Sequence, residues 1–178
     1  MSSIFSDPPV LGLAAWSGTG KTTLLVRLLP LLHAQGLRIG VLKHAHHDFD
    51  IDHPGKDSFA LRKAGAEQML IASNRRWALM VETPVQKEVS LIEMLGHLDR
   101  RSLDLILVEG FRHEPFPKIE LHRVELGKPL LFPDDPSIMA VATDGPITTL
   151  LPQLNLNDPA AIGAFIADYC NQSRPQSD

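Results

Sequence analysis

The stretch AAWSGTGKTTLL, from Ala14 to Leu25, decides the fold of this chain. From Ala15 to Thr22 it fits the pattern G-x-x-x-x-G-K-[ST], except that Ala15 stands where a glycine is usual. Gly18 and Gly20 let the backbone turn successive N–H groups toward a phosphate, and a helix starting there adds its positive N-terminal end. The stretch therefore predicts a phosphate-binding loop, or P-loop, between a strand and a helix.

The side chains of this loop indicate how it would handle a phosphate. Lys21 supplies a point charge for the β- and γ-phosphates, so we predict a catalytic role for it as well. The Thr22 hydroxyl is a predicted ligand of Mg²⁺. The predicted phosphate-binding residues are Ser17, Gly18, Thr19, Gly20, Lys21, Thr22 and Thr23.

Apolar patterns around the loop extend the prediction to the whole fold. A buried strand is predicted before it, over Val10 to Trp16, and leucines at helical spacing follow it. Strand-like and helix-like segments then alternate, which is typical of an α/β protein, while EQMLIA (67–72) and WALMVE (77–82) predict a hairpin. We expect a P-loop NTPase-like α/β fold, with a mainly parallel sheet flanked by helices and some antiparallel strands. It forms a single nucleotide-binding domain over residues 1–178, with flexible ends at 1–9 and 171–178.

Composition excludes several classes of protein. The 178 residues are 44% hydrophobic and carry a net charge of −4, which argues against a large basic nucleic-acid face. Cys170 is the single cysteine, so an internal disulfide framework and a multi-cysteine zinc site are excluded. No apolar run is long enough to span a membrane, and we expect a cytoplasmic protein without nucleic-acid or membrane partners.

Acids near one predicted strand, LDLILVEG, supply a metal candidate. Asp104 and Glu109 lie about 16 Å apart in a strand, so both cannot reach one Mg²⁺. Ligands of parallel sheets bind beyond the carboxyl ends of the strands, which favours Glu109. Glu109 is predicted to be catalytic, holding Mg²⁺ through water or orienting an attacking water. The alternative is a strand-end acid that only meets solvent.

The loop KHAHHDFDID, from Lys43 to Asp52, has three readings. It is a switch loop that closes on the γ-phosphate and Mg²⁺, a transition-metal site, or a solvated polar loop. Lys43 and His44 are nearest the sheet edge. Asp48 is predicted to be the magnesium-side acid, with a catalytic role.

Two further edges of the predicted sheet carry candidates. Of the two hairpin strands, the first is the better parallel candidate, which favours Asn74 and Arg75 over Glu82 as residues near the nucleotide. Asp144 follows SIMAVAT, where its carboxylate would accept hydrogen bonds from the N1 and N2 groups of guanine. The alternative for Asp144 is a turn residue before Gly145.

These motifs together resemble one family. AAWSGTGKTTLL, LRKAGA, RRWALMVETP and LDLILVEGFRHEPFPKIEL are similar to molybdopterin-guanine dinucleotide biosynthesis protein B (MobB). The loop containing HHDFDID and the strand end LVEGF are the most specific parts. The resemblance runs from about Leu11 to the end of the last predicted helix.

The resemblance implies a dimeric GTP-binding protein with weak GTPase activity and Mg²⁺ as cofactor. It implies an accessory role beside the guanylyltransferase that attaches GMP to molybdopterin, and contact with other molybdenum cofactor proteins. By resemblance, Gly18 to Thr23 bind phosphate and Glu109 is the Walker B-type acid. Arg112 and Lys118 match basic positions of the family, and Arg112 is placed at the nucleotide or cofactor edge.

Other functions remain open at this point. A small-molecule kinase would use the same loop, usually with ATP, and with an acid such as Asp48 as proton acceptor. A metallochaperone GTPase would carry nickel or zinc on the histidines, although no cysteine lies near them. A purely structural protein would not gather so many polar groups at one edge. An arginine acting on phosphate is not evident, although Arg75, Arg76 or Arg112 would be available in trans.

Overall fold

The computed structural model describes residues 3–45, 49–83 and 88–173. It divides into two compact units, Met1–His44 with Ser90–Asp178 and Ala45–Val89. The helices are α1 (Lys21–Ala34), α2 (Asp57–Lys63), α3 (Leu91–Gly96) and α4 (Pro159–Ser173). The strands are β1 (Val10–Ala14), β2 (Ile39–Lys43), β3 (Gln68–Ala72), β4 (Trp77–Val81), β5 (Leu105–Glu109), β6 (Lys118–His122), β7 (Ile138–Thr143) and β8 (Gln153–Asn155).

The large unit is built on a six-stranded sheet in the order β2-β5-β1-β6-β7-β8. Every neighbouring pair in it is parallel. The carboxyl ends of its strands therefore share one edge, and β1, which leads into the P-loop, lies between β5 and β6. The predicted α/β fold with a mainly parallel sheet is confirmed.

Helices complete two apolar clusters against this sheet. One cluster joins Leu28 of α1 and Ile162 of α4 to residues of β1 and β5–β7. The other joins Leu91 and Leu95 of α3 to side chains of β1 and β5, Val10 among them. Strands buried by helices on both faces read as continuous apolar runs, as in LDLILVE. This rigid sheet is what positions the strand-end residues.

The N-terminus of α4 is capped by residues next to it in the sequence. Asp158 precedes α4 and its Oδ1 accepts from the backbone N–H groups of Ala160 and Ala161 at 3.1 and 3.0 Å. Pro159 occupies the first position of the helix, where the missing N–H has no intrahelical partner to lose. A helix of this kind holds its N-terminus without help from another element.

The small unit contains α2 and the antiparallel pair β3–β4. The predicted hairpin is confirmed, but the expectation that its first strand belongs to the parallel sheet is wrong. β3 pairs with β4 in a two-stranded sheet of its own, because the short turn between them forces antiparallel neighbours. The helix before β3, which suggested a crossover, leads instead into the hairpin.

The edge strand β8 and the N-terminal segment also differ from expectation. β8, only three residues long, carries no periodicity from which it could be predicted. The segment before β1, expected to be flexible, is packed from residue 4 onward. Phe5 stacks on Phe116 at 5.9 Å, and Arg100 donates to the carbonyl oxygens of Ile4 and Asp7, both at 2.6 Å.

In the part of the chain that the structure describes, none of the helices combines the length and apolar character needed to cross a bilayer.

Candidate functional site

The P-loop connects β1 to α1 at the carboxyl edge of the sheet. Gly18 and Gly20 adopt φ angles of 84° and 96°, a left-handed conformation that a side chain at either position would strain. Thr19, which is buried, donates from its hydroxyl to the Trp16 carbonyl at 2.8 Å and closes the turn. Ala15 replaces the usual first glycine without appearing among the residues at positive φ. The loop thus has, at Gly18 and Gly20, the left-handed turns that the motif predicts.

Lys21 begins α1 and folds back over the loop. Its Nζ donates to the carbonyl oxygens of Ala15 at 3.3 Å and Trp16 at 3.2 Å. Burial lowers the pKa of Lys21 most, while the charge of Glu109 raises it and those of Arg112 and Lys43 lower it again. The ammonium group is therefore held by two neutral carbonyls in a positive environment, an arrangement that favours an anion.

Glu109 lies at the end of β5, where the sequence placed it. Its Oε1 accepts from the Thr22 hydroxyl at 3.4 Å, and its Oε2 lies 3.6 Å from Nζ of Lys43 at the end of β2. A hydroxyl and a carboxylate oxygen are ligands that Mg²⁺ takes, directly or through water, so the donor set fits this ion. Thr22, Glu109 and Lys43 are thus brought together as predicted.

The turn after Glu109 brings two more predicted residues to the loop. The His44 N–H donates to the Glu109 carbonyl at 2.8 Å, and its ring stacks on Phe111 at 4.4 Å. The Arg112 guanidinium lies 4.7 Å from the centre of the Trp16 ring, and Trp16 belongs to the P-loop. His44 and Arg112 therefore lie at the same carboxyl edge of the sheet as the P-loop.

Asp144 lies at the end of β7, beside a residue that sequence reasoning missed. Its Oδ1 accepts from the Val124 N–H at 2.9 Å and its Oδ2 from Arg123 at 3.1 Å. The Arg123 Nε also donates to the Thr19 carbonyl at 3.0 Å. Arg123 thus links the P-loop to Asp144 at the end of β7. No spacing signal could have found it, because its partners lie 104 and 21 residues away.

Lys118 has a different environment from the other cations. It is 1% exposed, and its Nζ lies 2.9 Å from Asp135 and donates to the carbonyl oxygens of Arg112 and Glu114. Its described contacts are therefore internal, and they fasten the segment that carries Arg112.

In the small unit, Arg62 of α2 contacts two acids of the loop that precedes α2 and one acid that follows β4. It contacts Asp50 and Glu82, both at 2.5 Å, and lies 3.7 Å from Asp52. Asp48, together with His46 and His47, lies outside the described residues. Over 3–45, 49–83 and 88–173, no group of three or more His, Cys, Asp or Glu side chains is arranged to hold a metal.

Asn74 and Arg75 occupy the turn between β3 and β4. Arg75 donates its backbone N–H to the Ser73 hydroxyl at 3.3 Å, a contact within the turn itself. Since β3 is not a strand of the parallel sheet, the topological reason for placing these two residues near a nucleotide no longer holds.

Comparison with known families gives a match over most of the chain. The model described as "MobB: Molybdopterin guanine dinucleotide synthesis protein B" matches residues 10–144, which includes the P-loop, Glu109 and Asp144. An Escherichia coli protein named molybdopterin-guanine dinucleotide biosynthesis adapter protein is 49% identical over 162 residues, covering 90% of this chain and 93% of the relative. A Haemophilus influenzae protein of the same name is 46% identical over 90% of this chain and 89% of its own.

A solved structure agrees with the fold. The crystal structure of a MobB homolog from Bacillus stearothermophilus superposes with a TM-score of 0.67. It covers 92% of this chain and 98% of its own, at 22% identity. At that identity the likeness concerns the fold alone.

Proposed function

The chain belongs to the MobB family, and from this premise we propose that it is a GTP-binding accessory protein of molybdenum cofactor biosynthesis. Its role is to assist the guanylyltransferase that makes the molybdopterin guanine dinucleotide form of the cofactor, and its own GTPase activity is weak. The observation that carries the nucleotide part is the meeting of Lys21, Thr22 and Glu109 at the carboxyl edge of β1 and β5. The names of the relatives support the accessory role.

The phosphates occupy the P-loop, from Ser17 to Thr23. Lys21 binds the outer phosphates, because the hydrogen bonds described for its ammonium group go to neutral carbonyls, those of Ala15 at 3.3 Å and Trp16 at 3.2 Å. An anion is a stronger partner for an ammonium group than a neutral carbonyl is. The N-terminus of α1 adds its partial positive charge at the same place.

Thr22 and Glu109 would hold Mg²⁺. Asp48, the other acid predicted for this ion, lies outside the described residues. When bound, the ion neutralises charge on the outer phosphates. Glu109 orients the water that attacks, and the Lys43 ammonium group lies 3.6 Å from its carboxylate.

Asp144 reads the base. Its two oxygens already accept from Arg123 and Val124, but a carboxylate offers about four lone-pair sites, so two remain for the N1 and N2 groups of guanine. Adenine lacks this pair of donors. Fixing the carboxylate in place by two protein contacts lowers the entropic cost of recognition.

The protein acts as a homodimer, and the hairpin of the small unit supports this. Leu70, Leu79, Val81 and Trp77 lie on one face of the β3–β4 pair, as their cross-strand register requires, and all are exposed. An isolated two-stranded sheet is marginally stable, and an apolar face of this kind is typical of an interface. A second copy of the chain is the occupant that we propose for it.

A reconstituted synthesis tests the accessory role. Purified guanylyltransferase is given molybdopterin, GTP and Mg²⁺, and the guanine dinucleotide product is quantified with and without this protein. We expect wild type to raise the rate and Lys21→Ala to raise it less. No effect of the wild-type protein would contradict the proposal.

A further inference from the structure

The turn that carries Arg112 has an unusual backbone. Gly110 and Phe111 follow Glu109 with φ angles of 100° and 51°, and Phe111 is the non-glycine residue at positive φ in the described chain. A bulky side chain adopts this conformation only where its surroundings hold it there. Strain of this kind concentrates at ligand-binding turns, so the question is what the turn positions.

Contacts on both sides hold the turn in place. Phe111 is buried and stacks on His44 with 20° between the rings. A side chain at Gly110 would come within 2.7 Å of the His44 Cβ, so glycine is required there. Buried Lys118 donates to the Arg112 carbonyl at 3.4 Å. The backbone of Arg112 is thus anchored at the carboxyl end of β5.

The Arg112 side chain lies beside the P-loop on an aromatic ring. Its guanidinium is 4.7 Å from the ring centre of Trp16, and the Trp16 Nε1–H donates to the Pro129 carbonyl at 2.8 Å, which fixes the ring. A cation–π contact binds a guanidinium more weakly than charge-assisted hydrogen bonds to a phosphate do. The ring therefore keeps the charge close to the loop without neutralising it.

Arg112 differs from the other cations of this edge in its partners. Lys43 pairs with Glu109 and Arg123 pairs with Asp144. Across the described parts of the chain, Arg112 has no carboxylate partner, and its polar side-chain contact is His113 Nε2 at 3.3 Å. A positive group without counter-charge next to Lys21 is suited to a ligand that brings its own negative charge.

We propose that Arg112 binds the terminal phosphate of a nucleoside triphosphate in cis, and so makes the protein bind triphosphate more tightly than diphosphate. This inference rests on the nucleotide site proposed above. Arg112 follows Glu109 by three residues, so a terminal phosphate between Lys21 and Glu109 lies within reach of its long side chain. The planar guanidinium binds two phosphate oxygens at once, which Lys21 as a point charge does not. Arg112 leaves the Trp16 ring when it makes this contact.

The affinity ratio for two nucleotides tests the inference. A non-hydrolysable GTP analogue and GDP are titrated into wild type and Arg112→Ala with Mg²⁺ present. We expect the variant to lose about 10- to 100-fold in affinity for the analogue, as for one charge-assisted hydrogen bond, and less than about threefold for GDP. Arg112→Lys should fall between the two. Equal losses for both nucleotides, or none, would overturn it.

Lys128→Ala is the matched control, because Lys128 is the other cation on the Trp16 ring, at 5.9 Å. The ratio of its affinities for the GTP analogue and for GDP should equal that of wild type. A change in this ratio as large as in Arg112→Ala would show that any nearby positive charge has the same effect, and would overturn the inference. Wild type that binds neither nucleotide would overturn the proposed function itself, and this inference with it.

Trp16 fluorescence provides an independent readout. The chain has two tryptophans, so Trp77→Phe leaves Trp16 as the single reporter. In that variant the emission should change with the GTP analogue and not with GDP, since only the analogue draws Arg112 off the ring. The same response to both nucleotides would contradict the proposal.

Discussion

At the carboxyl end of β5, Glu109 lies between the Thr22 hydroxyl and the Lys43 ammonium group. Because Lys43 and Thr22 remain in place without its charge, Glu109→Gln should slow GTP hydrolysis more than it weakens GTP binding. Single-turnover hydrolysis and calorimetric titration of the same protein separate the two effects. Asp104→Asn is the control, since Asp104 pairs with Arg38 before the start of this strand. Equal losses of binding and hydrolysis in Glu109→Gln would assign Glu109 a structural role.

Asp144 gives a pH-dependent prediction. The hydrogen bond from the Val124 N–H, with help from Arg123, lowers the pKa of Asp144 in the folded protein. Its contribution to stability is therefore complete above the unfolded pKa of about 3.9, and it is lost as the pH falls through the lower folded value. Asp144→Asn should have a lower free energy of unfolding than wild type at pH 7, and the difference between the two should become smaller below about pH 4. Urea unfolding at several pH values measures this difference, and a difference independent of pH would contradict the role given to Asp144.

Single residues were predictable from the sequence where a motif or a strand end identified them. Lys21 and Thr22 follow from the P-loop spacing, and Glu109 from its place after an apolar run. Arg123 was not predictable, since it contacts Thr19 and Asp144 through a tertiary arrangement that no local pattern encodes. Residue-scale prediction fails where the fold, and not the neighbouring sequence, supplies the partners.

Among the elements, α2 and the loop before it depend on Arg62. Its contacts with Asp50, Asp52 and Glu82 join α2 to that loop and to the end of β4. Asp52 is buried, and Arg62→Ala would leave its carboxylate without the neighbouring cation. An unpaired buried charge is destabilising, so we expect faster backbone hydrogen exchange over 49–83. Lys63→Ala is the matched control, because Lys63 contacts only the Phe59 ring among its described interactions. Unchanged exchange in Arg62→Ala would show that the cluster does not hold the segment.

The sequence predicted which segments form strands better than it predicted which strands pair. Apolar runs predicted β1, β5 and β7, and a four-residue connection predicted the β3–β4 hairpin. The pairing of β3 was wrong because a helix before a strand suggests a crossover, whereas the tight turn after the strand decides its partner. β8 was missed because three residues carry no period.

On the scale of the whole molecule, the apolar face of the hairpin predicts self-association. Leu79→Lys and Trp77→Lys place charge on this face, so each should shift the protein toward the 19.6 kDa monomer. Light scattering coupled to size exclusion measures the mass, with wild type expected at twice that value. Leu150→Lys controls for added charge, since Leu150 is fully exposed in the large unit. Monomeric wild type, or variants that remain dimeric, would contradict the proposed interface.

The central claim is that the P-loop binds GTP. Calorimetric titration with GTP and with ATP in the presence of Mg²⁺ tests it most directly. We predict tight binding of GTP and negligible binding of ATP. Lys21→Ala should reduce GTP affinity at least about 30-fold, as for removal of one buried hydrogen-bonded charge, about 2 kcal/mol or more. Preference for ATP, or GTP affinity unchanged in Lys21→Ala, would contradict the account.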